Sequence, residues 1–148
     1  MRCLRLSPSL LLLALTACAD PVQGELRISS HGGEDLHLAP QECFDGAPLG
    51  FLGVQLRDED RTVEFFDDGG QPALIVHIPG DAAFELIPAD CATFAGELNR
   101  EFNRRTDVGK VSGDVVVDCT SLDGWSVQGE LSFEECWAEE EEECDDEF

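Results

Sequence analysis

The chain has 148 residues, 43% of them hydrophobic, and carries a formal charge of −23 at pH 7. That length accommodates one ordinary domain and crowds out two. So negative a chain argues against nucleic acid or anionic lipid as a partner of the protein surface, because both repel it; cations and basic proteins remain, and solubility is the plain alternative.

The first element in chain order is "SLLLLALTACAD", residues 9–20. Its apolar run from Leu10 to Ala17 falls well short of the ~20 residues of a membrane-spanning helix. Arg2 and Arg5 precede the run and small residues close it, which is the three-part layout of an export leader. Leu15-Thr16-Ala17-Cys18 resembles the lipobox of bacterial lipoproteins: aliphatic, small, small, cysteine. The resemblance covers the first eighteen residues. It implies that residues 1–17 are a cleaved signal peptide and that Cys18 is the lipidation site, diacylated on sulfur and acylated, as with palmitate, at the new N-terminus. One acyl chain binds membrane marginally, at ~0.8 kcal/mol per buried CH₂, whereas several on one residue anchor stably. The chain after Cys18 is formed then has 131 residues and a formal charge of −25, and works in the cell envelope. Ala19 follows the cysteine, and Asp20 stands one place later than the inner-membrane retention aspartate, which leans toward the outer membrane. Residues 18–23 read as a tether of at most ~20 Å, residues 24–137 as a β domain, and residues 138–148 as an acidic tail.

A short pattern recurs through the domain: apolar, any residue, glycine, acid, then Leu or Val. It occurs as "VQGEL" at 22–26, "FAGEL" at 94–98, "VSGDV" at 111–115 and "VQGEL" at 127–131. On a strand, positions one, three and five share a face and the acid takes the other. Glu25, Glu97, Asp114 and Glu130 therefore point to water, and the glycines mark bends or close approaches. The copies are too short and unevenly spaced for a solenoid. Further strands read from "LGFLGVQLR" at 49–57, "RTVEFF" at 61–66, "ALIVHI" at 73–78 and "AFELI" at 83–87, separated by Gly-, Asp- and Pro-rich turns. The fold class is all-β: an antiparallel β-sandwich or small barrel of about seven or eight strands. Only "DCATFAGELNREFNRR" dissents, since Phe94, Leu98 and Phe102 lie four apart as on a helix; a short helix at 97–105 stays open against a strand.

The segment 111–133 reads as a hairpin. A two-residue Asp-Gly loop would mix its two faces, whereas a three-residue loop over Asp123-Gly124-Trp125 pairs Val115 with Phe133, Val117 with Leu131 and Cys119 with Gly129. The longer loop is the predicted one, with Gly129 leaving room for a disulfide at Cys119.

Outside the cytosol, cysteines placed beside strands pair. Cys43, Cys91, Cys119 and Cys136 are the disulfide candidates, with Cys91–Cys119 and Cys43–Cys136 preferred among three connectivities. Cys144 is left over, a free thiol or an exchange partner for Cys136. Eight of the last ten residues are acidic, and such blocks repel themselves into a solvated, disordered tail.

No catalytic residue is assigned. The chain has no G-x-S-x-G, P-loop, H-E-x-x-H or dinucleotide fingerprint. Its three histidines, His31, His37 and His77, show no metal-ligand spacing and there is no C-x-x-C, so neither metal nor cofactor is expected. Two functions stand. One is a membrane-anchored envelope lipoprotein with a small β binding or structural domain, whose partners are the membrane through the lipid on Cys18 and an envelope or basic protein. The other is an inhibitor of a basic extracellular or periplasmic enzyme; the acidic, lipid-anchored β design is similar to that of lysozyme-inhibiting lipoproteins, though their Ser-Gly loop motifs are missing.

Overall fold

The computed structural model describes residues 20–30, 32, 33, 35–67, 69–105 and 108–138. The leader, Cys18, His31, Cys144 and the acidic tail from residue 139 lie outside the described residues. The described chain is all-β, with ten strands: β1 (Val22–Ser29), β2 (Leu36–Leu38), β3 (Glu42–Asp45), β4 (Gly53–Asp58), β5 (Arg61–Asp67), β6 (Pro72–His77), β7 (Phe84–Leu86), β8 (Cys91–Asn103), β9 (Val108–Thr120) and β10 (Ser126–Trp137). β1 starts inside the segment read as a tether.

The ten strands make one curled sheet with two wings. In the first wing, β1 pairs with β2 and β10, and β10 pairs with β9, which pairs with β8. In the second, β3 to β7 form a meander of consecutive antiparallel neighbours. The wings join where Trp137 of β10 lies beside Phe44 of β3 in a parallel bridge, so the sheet is mixed rather than purely antiparallel. Curling brings β8 across the meander: the Phe65 and Phe94 rings lie 6.3 Å apart, and Arg100 reaches Asp45 at 2.7 Å.

Period-two alternation explains which side chains enter the core. Val22, Leu26 and Ile28 of β1, Val54 and Leu56 of β4, Val63 and Phe65 of β5, and Leu74 and Val76 of β6 are buried, with Val115, Val117, Val127, Leu131 and Phe133 from β9 and β10. Each such side chain contributes roughly 1.5–3 kcal/mol on burial. Asp45 is the buried charged group among the described residues, and it is compensated: both carboxylate oxygens accept from Arg100, and Oδ1 also accepts from the Ala47 amide at 3.0 Å. Arg100 is itself 31% exposed, so its removal strands only the buried Asp45 carboxylate, at about 1–3 kcal/mol.

Several readings from the sequence change here. Segment 97–105 is strand as far as Asn103, since β8 is continuous. Its Phe94, Leu98 and Phe102 are four apart because Gly96 and Arg100 hold the intervening same-face positions. The strand read at 49–57 begins only at Gly53, because Ala47–Leu49 forms a 3₁₀ turn with Pro48 inside it and Gly50 left-handed after it. Strands β2 and β3 come in addition to the seven or eight expected.

The hairpin loop is also longer than predicted. Val115 faces Leu131, Val117 faces Gly129, Cys119 faces Val127 and Thr120 faces Ser126. The loop is therefore 121–125, and the register moves by two residues. Such a slip keeps every side chain on its predicted face, so alternation cannot detect it. Local bonds decide it: the Ser121 amide donates to the Trp125 carbonyl at 2.7 Å, the Trp125 amide donates to Ser121 Oγ at 3.0 Å, and the Gly124 amide donates to the Ser121 carbonyl at 3.0 Å. The wider loop frees Trp125 to stack on Phe84 of the other wing, ring centroids 5.0 Å apart.

Candidate acidic groove on the outer face

The disulfides frame this surface. Cys91 is joined to Cys119 and Cys43 to Cys136, the pairing preferred from the sequence. Cys91 and Cys119 are register partners on neighbouring strands. Gly129, expected opposite Cys119, instead faces Val117 and Leu26. Cys136 reaches the core only through a bulge. Leu131 and Phe133 face inward, so strict alternation would turn Cys136 outward; the register shifts between Phe133 and Cys136, with Glu135 at φ 52°. One extra residue flips the phase and delivers the sulfur to Cys43.

The four Gly-acid motifs come together in two antiparallel pairs. Motif 22–26 in β1 lies against motif 127–131 in β10, and motif 94–98 in β8 against motif 111–115 in β9. The glycines are required sterically. A Cβ at Gly24 would strike the Glu130 carbonyl oxygen, and one at Gly129 the Glu25 carbonyl oxygen. The same reciprocity links Gly96 to Asp114 and Gly113 to Glu97. Glycine at these positions lets two backbones approach closely.

The result sets like charges face to face. Glu25 stands directly opposite Glu130, and Glu97 directly opposite Asp114. All four side chains are exposed, as the alternation predicts. Like charges directly opposite on a sheet are destabilising, by the same ~0.2–1 kcal/mol that favourable pairs contribute. Beside them runs a shallow groove over β1, β10 and β9. Its three parts, of about 470, 520 and 340 Å³, overlap at Gln23 and Ser132 and then at Gly24 and Glu130. Six carboxylates line it, from Asp20, Glu25, Asp114, Glu130, Glu134 and Glu135, against one guanidinium from Arg27. At one end stands Trp137, with Lys110 Nζ 5.7 Å from its ring centre. Lys110 bridges Glu135 at 3.3 Å and Glu101 at 3.4 Å. The hydrogen bond to Glu135, and then that to Glu101, hold its ammonium above the usual lysine range.

Such a surface can receive lysine or arginine side chains or an organic polycation. Among the described residues, no three His, Cys, Asp or Glu groups are arranged to hold a metal ion. His37 lies 3.8 Å from Glu25, and His77, on β6, lies 3.6 Å from Glu64. Reading the sequence found the exposed acids of the motifs but neither their pairing nor the contribution of Asp20, Glu134 and Glu135. The available signal was Cys136, whose phase relative to Leu131 and Phe133 demands a bulge at Glu134-Glu135. Comparison with family models, with curated proteins and with solved structures returns no match to this chain.

Proposed function

We propose that this chain is a lipid-anchored envelope protein whose β domain binds a cationic partner along the groove over β1, β10 and β9, without catalysis of its own. The observation that carries this reading is the pairing of Glu25 with Glu130 and Glu97 with Asp114. An arrangement that opposes stability at two places, on the face where solubility alone would be served by scattered charge, is accounted for by a positively charged ligand that relieves the repulsion. The lipobox at Leu15–Cys18 supplies the address, an envelope membrane, with the outer membrane favoured by Ala19 and Asp20. Nucleic acid is repelled by the same charge.

The test has two arms. Globomycin treatment should make a precursor accumulate with residues 1–17 attached; normal processing in its presence removes the lipid anchor from the proposal. Pull-down of cationic envelope proteins should weaken steeply as salt rises, since exposed charge pairs are screened. Capture that ignores salt, or that survives Glu25→Gln with Glu130→Gln, removes the groove.

The same groove favours the inhibitor reading in one form: a basic enzyme of lysozyme type docks its cationic surface there. In that case stoichiometric addition of the domain abolishes the enzyme's activity, whereas a structural or scaffolding partner is bound without any such effect.

A further inference from the structure

The end of the fold from which the N-terminus departs has a composition unlike the rest of the surface. Val22 lies level with Phe133, Gly113 and Leu98 across β1, β10, β9 and β8. The β8–β9 hairpin continues past that level for five more residues of β9, from Gly113 to Val108, an overhang of roughly 17 Å. Cys18 is four residues before Val22 and extends at most roughly 14 Å from it. A lipid on Cys18 therefore draws the hairpin end to the bilayer together with the anchor.

That end gathers most of the exposed large apolar side chains, among charged neighbours. Seven large apolar side chains are exposed among the described residues, and four of them are here: Leu49, Leu52, Phe102 and Trp137, at 50%, 64%, 56% and 46%. Phe102 is near the tip of β8, and Trp137 closes β10. Leu49 and Leu52 belong to the β3–β4 connection, which leaves the sheet next to Trp137 because Phe44 and Trp137 are partners. The Asp45–Arg100 ion pair ties the root of that connection to the hairpin. Arg104 and Arg105 are exposed in the turn after β8.

We infer that this end of the domain, Leu49, Leu52, Phe102 and Trp137 with Arg104 and Arg105, is a membrane-seating surface that rests in the headgroup region of a phospholipid bilayer. The inference rests on the lipid anchor of the preceding section. Tryptophan and arginine at a membrane boundary place an apolar body in the acyl region and a polar tip among the headgroups. The occupant is a zwitterionic rather than an anionic surface, because Asp20, Glu134 and Glu135 stand beside Trp137 and oppose negative lipid. Seating is accordingly apolar in origin and indifferent to salt. It also stands the acidic groove upright from the membrane, with its Trp137 end lowest.

The experiment uses the mature lipidated chain with Trp125→Phe, which keeps a ring against Phe84 and leaves Trp137 as the sole tryptophan. The protein is placed in phosphatidylcholine vesicles, either ordinary or brominated high on the acyl chains. Trp137 emission should be roughly twofold lower in the brominated vesicles, at low and at high salt alike. Equal emission in the two, from protein whose mass shows an acylated Cys18, overturns the seating and leaves the anchor standing. A mass that retains residues 1–17 or lacks acyl groups overturns the anchor itself and this inference with it. Phe102→Ser with Leu52→Ser, both at exposed positions, should abolish the quenching while the lipid keeps the protein on the vesicles; quenching that persists overturns the role of these side chains. Concentration-dependent dimers that protect Trp137 without lipid would assign the face to a second copy and overturn the inference.

Discussion

The two wings of the sheet solve the problem of an outer face in opposite ways. On the meander wing, unlike polar groups face one another. Gln55 donates to Glu64 at 3.3 Å, Arg57 donates to Gln55 at 3.0 Å and covers the Phe44 ring at 4.6 Å, and His77 lies 3.6 Å from the same Glu64. On the motif wing, four acids of the same repeated sequence are set against each other in register. Both faces are solvent-exposed sides of one curled sheet, so the difference does not come from the core. It teaches that the two Gly-acid register pairs are not placed for stability, and such a place is where binding is to be sought.

The largest expected effects test how the wings are held. Cys43–Cys136 bridges them and closes 93 residues, whereas Cys91–Cys119 stays inside one wing and closes 28. Chain-entropy reasoning assigns about 4.6 kcal/mol to the first and about 3.6 kcal/mol to the second. Urea unfolding of the Cys43→Ala/Cys136→Ala and Cys91→Ala/Cys119→Ala proteins should therefore show the inter-wing pair as the costlier loss. The reverse order would mean that the wings hold together without their bridge.

Next in size is the glycine requirement of the motif wing. Gly113→Ala should cost about 1–3 kcal/mol, because the added methyl meets the Glu97 carbonyl and the Phe133 ring edge with no room to yield. Gly50→Ala, in a connection of the meander wing, meets nothing within 4 Å and should cost only the left-handed backbone penalty of about 1 kcal/mol. Equal losses at the two sites would deny the close approach of β8 and β9.

A smaller effect separates the two outer faces directly. Glu130→Gln should stabilise the domain by about 0.2–1 kcal/mol at low salt, and less at high salt, by relieving Glu25. Glu64→Gln on the meander wing should not stabilise it, since Glu64 is already partnered. Chemical denaturation at two salt concentrations distinguishes these outcomes; stabilisation at both sites would reduce the contrast to net charge alone.

The smallest effect is at Lys110. Its folded value is raised by Glu135 and Glu101, so the charged form is favoured in the folded state. The contribution is fully present below the ordinary lysine range and is lost as pH climbs through the raised value. Alkaline titration should thus loosen the end of β10 in the native chain and not in Lys110→Gln. Trp137 fluorescence in the Trp125→Phe background reads the change, and an identical alkaline response in both proteins would remove Lys110 as its cause.

Much of this architecture follows from the sequence by itself. Alternation placed the buried and exposed faces of the motif strands, because a period of two needs no knowledge of the partner. The preferred cysteine pairing followed from placing Cys91 and Cys119 at one end of the same strands and Cys136 at the other. Tertiary structure decided the rest. The hairpin register depended on bonds at Ser121 and on a ring, Phe84, contributed by the other wing. The opposition of Glu25 and Glu130 depended on β1 pairing with β10, about a hundred residues away, and the groove depended on the bulge at Glu134-Glu135. Faces are local properties of a strand. Registers and partners are not, since a two-residue slip or a different neighbour preserves every face, and only the packed core and its turns choose among them.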